Sequence, residues 1–492
     1  MRKERVRGSS STTRILGFAW SISRSNAQIW CHGNRQANRD HNARRVATKW
    51  PFERHTVRTP TRGQVAALRM AASTAPPSIA SAGSILRRMR AFQLSLFRLR
   101  DFRALGAAMV LNSVGMMGES VVLGWLVLEL TNSPLLVGVA MGTRTLPLFF
   151  AGVPAGALAD RFPRHRLLMA TGAGQALTAA ALGALTLLGR VSLGRVLVLT
   201  FVAGLVRAVE HAARQSYTHD VVGAGALVNG FAILGVAMRG GWLLGSLGVG
   251  AVIARFGTGA AYLMVAVGFL AGAVALLPAG APSATVSANP ASLWRSVPEF
   301  FAAMRTDRGL LVLMLLTAAA EMLGFSHQVL LPSLARDVLH AGPEGLGALN
   351  AARSVGGILG LLVASVRGPV HGTGALFLAI LVTFGATLIG LGIAPFVLGF
   401  AGVVVILTVV NGIGALADLF AQSLLQLSVP RQLRGRAGGA WVVAIGLAPL
   451  GQLQIGALAS LFGVSVAFGA SGLALAVLAG TTALLVPRAR RL

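Results

Sequence analysis

The chain is poor in most of what a soluble enzyme relies on. Its 492 residues include one cysteine, two tyrosines and 15 acidic side chains, and only 12% are charged. A soluble domain carries about 25%. The lone Cys31 excludes a disulfide within the chain and a cysteine-built metal site. The only lysines are Lys3 and Lys49, so the apolar body has no Gly-Lys-Ser/Thr phosphate loop. ATP hydrolysis in this chain is then not an energy source. No HExxH motif, nucleophile elbow or metal cluster appears, so an enzyme is not expected, and neither is a cofactor or a metal. The alternating segments of about 10 residues that build a membrane barrel are also missing.

What remains is apolar. Hydrophobic residues make up 54% of the chain, and windows of about 20 apolar residues recur along it, the length that crosses a bilayer as a helix. The expected fold is an all-α polytopic membrane protein. The net charge of +28 is unevenly spread: residues 1–100 hold 20 basic and 3 acidic side chains. The tail, 1–95, shows no periodicity and no signal-peptide pattern. It reads as a disordered basic tail, an organelle transit peptide, or sequence upstream of a start at Met70 or Met89. No basic helix accompanies it, so nucleic acid is not an expected partner. Leu86–Arg103 reads as a basic interfacial stretch.

Twelve spans are expected, at 104–128, 134–157, 167–188, 195–217, 226–254, 259–279, 309–333, 345–367, 373–394, 397–427, 437–460 and 464–486. A Pro/Ser/Ala-rich break at 281–308 divides them into two halves of six, 96–280 and 309–487, followed by a basic tail at 488–492. That layout belongs to a carrier built from repeats. With the N-terminus inside, eleven arginines fall on inner connections, and only Arg190, Arg195, Arg255 and Arg336 on outer ones. The positive-inside rule then places both termini in the cytoplasm; the expected location is a plasma membrane, the inner membrane of a bacterium.

One inner loop is dense in charge. In GALADRFPRHR, five ionisable groups lie between Asp160 and Arg166. The pattern of Gly156, Asp160, Arg161, Arg164 and Arg166 resembles the loop between spans 2 and 3 of the major facilitator superfamily, with Pro163 where glycine is usual and His165 where a basic residue is usual. WLVLELTNSP, LPLFFAGVPAGALADR, LPSLARDVLHAGPEGLG and LLQLSVPRQLRGRAGGAW resemble its enterobactin-exporter and macrolide-efflux subgroup, over residues 100–487. Ser246 stands where the antiporters of that superfamily carry proline.

The resemblance implies a secondary carrier of two six-helix halves working by alternating access, with a small-molecule substrate and protons as the coupling ion. It implies efflux of an amphipathic, siderophore- or drug-like compound by a monomer in the lipid bilayer. Metabolite uptake and a transport-inactive receptor or scaffold are the alternatives. It also implies a gate in which Asp160 meets the start of span 11 near Ala437 and the guanidinium of Arg214, with Arg434 and Arg436 on the adjoining loop. A carboxylate at a helix N-terminus is favourable by about 0.3–1 kcal/mol. Asp160→Asn is therefore expected to slow transport while the protein stays in the membrane. Wild-type transport with unaltered state populations would remove the gate assignment.

Ionisable groups inside spans are costly and mark pathways or partners. Glu119, Glu210, Glu321 and Asp418 fall in spans 1, 4, 7 and 10, the helices that the resemblance implies line the central cavity. Glu119 and Arg144 lie equally far from the turn at Thr131–Asn132, so they match in depth across spans 1 and 2. The pair is either a fixed bridge or an acid whose proton affinity changes as Arg144 moves. Arg207, Glu210 and Arg214 share one helix face. Glu321 has no basic neighbour within a turn. Desolvation favours the neutral form of such an acid, so it either carries the coupling proton or sits protonated in the bundle. Asn112, Trp125, His327, Gln328 and Gln422 are candidate substrate contacts.

Overall fold

In hydrocarbon every backbone polar group must be satisfied within the chain, which is why the apolar runs become helices. The computed structural model describes residues 96–223, 227–280, 308–367, 373–428, 446–486 and 490, without the side chains of 152, 153, 157, 160, 227–229, 308, 365–367 and 426–428. The expectations for the N-terminal tail, the central break and the loop before span 11 lie outside these residues. Residues Ser95–Leu492 form one unit.

Span 1 is Arg100–Thr131, span 2 Pro134–Arg161, span 3 Arg164–Leu187 and span 4 Leu193–Val222. Spans 5 and 6 run together as Leu227–Val274, divided at Gly257, whose φ of 80° is open to glycine. Span 7 is Gly309–Val338 and span 8 Gly342–Arg367. Span 9 is Thr373–Val397, span 10 Gly399–Ser428 and span 12 Val464–Leu485. The described part of span 11 is Ala448–Phe462. Among the described residues, ten helices are long and apolar enough to cross a membrane, the fused one counted once. Arg100–Arg103, expected at the interface, already belong to span 1.

The turn before span 2 shows how local sequence sets a boundary. Asn132 takes a left-handed φ of 50° and ends span 1, its N–H donating to the Leu128 carbonyl. Ser133 caps span 2 by accepting the Leu136 N–H, and Pro134 occupies the first turn, where no amide donor is needed.

Span 7 departs from the regular helix expected over 309–333. It is α-helical over Arg308–Ala319, then a π-turn at Ala320–Gly324, a 3₁₀ stretch at Phe325–Leu330 and a second π-turn at Leu334–Val338. Pro332 supplies a cause: it cannot donate to the Gln328 carbonyl, which takes the Leu331 N–H in a tighter turn instead. Arg336, expected on an outer connection, lies in the second π-turn and donates to the Leu128 carbonyl at 2.9 Å.

Within the first half, span 2 packs on span 4, and spans 1 and 3 pack on the fused element; in the second, span 8 packs on span 10 and span 9 on span 12. The halves meet where span 2 lies on span 11 and span 8 on span 5. Glycines make both seams close, as in membrane helix pairs generally. A Cβ at Gly456 would stand 2.8 Å from the Pro134 carbonyl, and one at Gly138 would strike the Gln452 carbonyl. At the other seam, a Cβ at Gly250 would stand 2.8 Å from the Pro343 carbonyl and one at Gly347 2.7 Å from that of Ser246. Leu135 N–H also donates to Ser460 Oγ at 3.0 Å. The halves are therefore sealed at the end that carries Pro134 and Pro343.

Candidate functional site

Between the halves, below that seal, lies a cavity of about 80 Å³. The first half contributes Ser120, Met141, Arg144 and Thr145; the second contributes Gln328, Asn350, Arg353 and Gln452. Pockets for drug-sized ligands span about 300–1,000 Å³, so this one holds a headgroup and not a whole molecule of that size.

On the first-half side, Glu119 is the hub. It is 5% exposed, and its Oε2 accepts from Arg207 Nη2 and lies 3.5 Å from Arg144 Nε. Arg144 Nη2 donates to the Met116 carbonyl at 3.0 Å. The pairing of Glu119 with Arg144 is present, and a second cation shares the same oxygen. Arg207, expected to serve Glu210, turns to Glu119 because it faces span 1. Glu210 is paired within its own helix, with Arg214 Nε at 2.9 Å.

On the second-half side, Arg353 Nη1 donates to Asn350 Oδ1 at 2.7 Å and Nη2 to Gln328 Oε1. Both partners are neutral amides. Arg353, Asn350, Thr145 and Gln452 are site residues that the acid-by-acid reading of the sequence missed. A signal for them exists. Pro134, Gly138 and Arg144 recur as Pro343, Gly347 and Arg353, each 209 positions later, and at the same offset Gln328 answers Glu119.

The other expected positions scatter. Gln328 lines the cavity. Trp125 does not: it is buried, and its Nε1 donates to Glu129 Oε1 at 2.6 Å. His327 is also buried, with Nδ1–H on the Gly324 carbonyl at 2.7 Å and Nε2 facing Asn411 Nδ2 at 3.4 Å. Both ring nitrogens are thus engaged in the bundle, which corrects the substrate-contact expectation for these two residues. Asn112 lines a separate small cleft with Glu210 and Arg214. Gln422 Nε2 donates to Asp418 Oδ1 at 3.2 Å.

Glu321 sits in the first π-turn of span 7, and among the described residues no cation pairs with it. Asp418 of span 10 is its acidic neighbour. Asp418 in turn attracts Arg239, a span 5 residue whose guanidinium stacks near Trp242 and reaches the span 8 backbone at Gly357.

At the end opposite the seal, Arg164 holds Asp220 at 2.6 and 2.5 Å, joining the start of span 3 to the end of span 4. Arg161 and Arg166 are exposed, and Gly156 has open space around it. Arg214, expected to meet Asp160, places Nε on Glu210 and Nη2 3.1 Å from His211. The Asp160 side chain, Ala437, Arg434 and Arg436 lie outside the described residues.

Membrane-spanning helices packed about a polar cavity define a membrane carrier. Residues 91–490 match the family model described as transmembrane secretion effector, and the chain belongs to that family of the major facilitator superfamily. It is a multi-pass transporter of the secretion and efflux type, not an enzyme. It is similar to a staphyloferrin A transporter of Staphylococcus aureus (strain NCTC 8325 / PS 47), 23% identical over 74% of this chain and 89% of that protein. It is 28% identical to the multidrug efflux pump Tap of Mycolicibacterium fortuitum, over 75% of this chain and 91% of the relative. The fold matches a peptide transporter POT solved with sulfate, at TM-score 0.64 and 16% identity over 80% of this chain and 95% of the other. It also matches the nucleoside transporter NupG, at 0.63 and 13% identity over 78% and 99%.

Proposed function

We propose that this chain exports an amphipathic, siderophore- or drug-like small molecule across a plasma membrane by alternating access, driven by proton entry. The observation that carries the coupling is Glu321: a carboxyl in a π-turn, where helix geometry is re-aimed at functional sites, beside Asp418 and with no cation pairing among the described residues. An ionisable group inside a span marks a pathway or a partner, and a carboxyl without a paired cation among the described residues can take up and release a proton as the cavity changes its exposure. The two relatives, a staphyloferrin A transporter and a multidrug efflux pump, support the substrate class. Taking arginine bias as the guide to orientation, both termini face the cytoplasm and the sealed end faces outward.

Glu321→Gln is expected to keep substrate binding and counterflow but to lose accumulation driven by a pH gradient. Glutamine mimics the protonated acid, so substrate exchange continues while the ion is never released. The measurement compares counterflow with gradient-driven flux in proteoliposomes. Full gradient-driven flux in the variant would place coupling elsewhere, with Glu119 and Arg144 next.

A further inference from the structure

Among the described residues, the cavity lining carries two arginines and no carboxylate. Arg144 and Arg353 line the cavity, and behind the lining Arg144 shares the Glu119 carboxylate with Arg207. Among the described residues no carboxylate pairs with Arg353; its two terminal nitrogens donate to neutral amides. The Nε atoms of both Arg144 and Arg353 are buried and make no hydrogen bond. A buried guanidinium without a counter-charge is expensive. The repeat between the halves shows where the imbalance arises. Arg353 answers Arg144, but Gln328 stands where the first half has Glu119. Gln328 for Glu119 removes the carboxylate, and Leu416 for Arg207 removes the second cation, so on the second-half side Arg353 stands with neutral partners only among the described residues.

We propose that this cavity binds a carboxylate group of the transported solute between Arg353 and Arg144, with Arg353 as its main contact. The assignment rests on the carrier reading above and names the chemistry of its substrate. Guanidinium groups present planar paired donors that match a carboxylate. The cavity's size, about 80 Å³, suits such a headgroup. Because the two arginines come from opposite halves, a bound acid would draw the halves together across the seam.

The test uses the full chain in detergent, so it does not depend on transport. Thermal unfolding is followed with phenylacetate and succinate, with phenylacetamide and succinamide as uncharged counterparts and chloride at matched ionic strength. The acids are expected to raise the midpoint, and the amides and chloride are not. Arg353→Gln is expected to weaken the acid effect by about 10–100-fold, the range for hydrogen bonds to a charged group. Gln328→Glu supplies the missing counter-charge from within. It is expected to raise the ligand-free midpoint and to abolish the response to acids, an outcome that misfolding cannot imitate. Equal shifts by acids and amides, an equal shift by chloride, or an undiminished acid response in either variant would overturn the assignment. Binding that persists in a chain that moves no solute would instead overturn the carrier reading.

Discussion

Replacing Glu119 by glutamine is expected to cause the largest loss of stability of any single polar substitution in the first half. The carboxylate is 5% exposed and serves two guanidiniums, Arg207 directly and Arg144 at 3.5 Å. Removing one partner of a buried ion pair costs about 3–5 kcal/mol, because the remaining charge stays desolvated. Here two charges are left. Glutamine keeps the shape, so a packing defect cannot account for the result. The check is the thermal midpoint in detergent together with the amount of protein in the membrane. A second variant isolates the electrostatic cause: adding Arg207→Gln removes one stranded cation and is expected to recover part of the loss. An unchanged midpoint in Glu119→Gln, or no recovery in the pair, would show that this cluster is not a structural hub.

Glu119 also shows what the sequence could and could not reveal. Its match with Arg144 follows from counting residues either side of one turn, because antiparallel neighbours at equal distance from a turn lie at equal depth. Its bond to Arg207 does not follow, since that contact crosses between helices whose facing is set by tertiary packing. Sequence proximity assigned Arg207 to Glu210 instead. Trp125 and His327 were misread for a related reason. Polar atoms on buried side chains find local partners, here Glu129 and the Gly324 carbonyl, and composition cannot distinguish that from a ligand site.

The all-helical membrane fold was legible because hydropathy acts over whole helices. The irregular course of span 7 was not, although Pro332 was in view. Its missing amide accounts for the tighter turn at Gln328, but nothing local marks the π-turn that carries Glu321. Arg353 has no acidic partner in sequence to mark it, since its guanidinium donates to the neutral amides of Asn350 and Gln328. The repeat of Pro, Gly and Arg between spans 2 and 8 would have exposed it.

That repeat bears directly on motion. Gly347→Val is expected to cut transport by about ten-fold or more while leaving the protein abundant in the membrane. Gly347 lies where span 8 crosses span 5, with the Ser246 carbonyl 2.7 Å from the position of an added Cβ and the Gly250 Cα at 3.2 Å. A valine cannot fit while this seam is closed, and overpacking costs about 1–3 kcal/mol. The cost falls on the state sealed at the Pro134 and Pro343 end, since opening that end separates the two helices. A penalty of about 1.4 kcal/mol shifts the balance between states ten-fold. A carrier must pass through both states, so favouring one slows the cycle. Gly138→Val, the counterpart at the other seam, is expected to act in the same direction. Gly240→Val is the control, because an added Cβ there meets nothing within 4 Å. The population shift can be read separately from transport. In a chain with Cys31 replaced by serine and Ser120 by cysteine, an impermeant maleimide added from the sealed side should label the cavity faster when Gly347→Val is present. If labelling and transport both match the parent, the glycine seams are packing contacts that the cycle does not open, and the seal between the halves lies elsewhere.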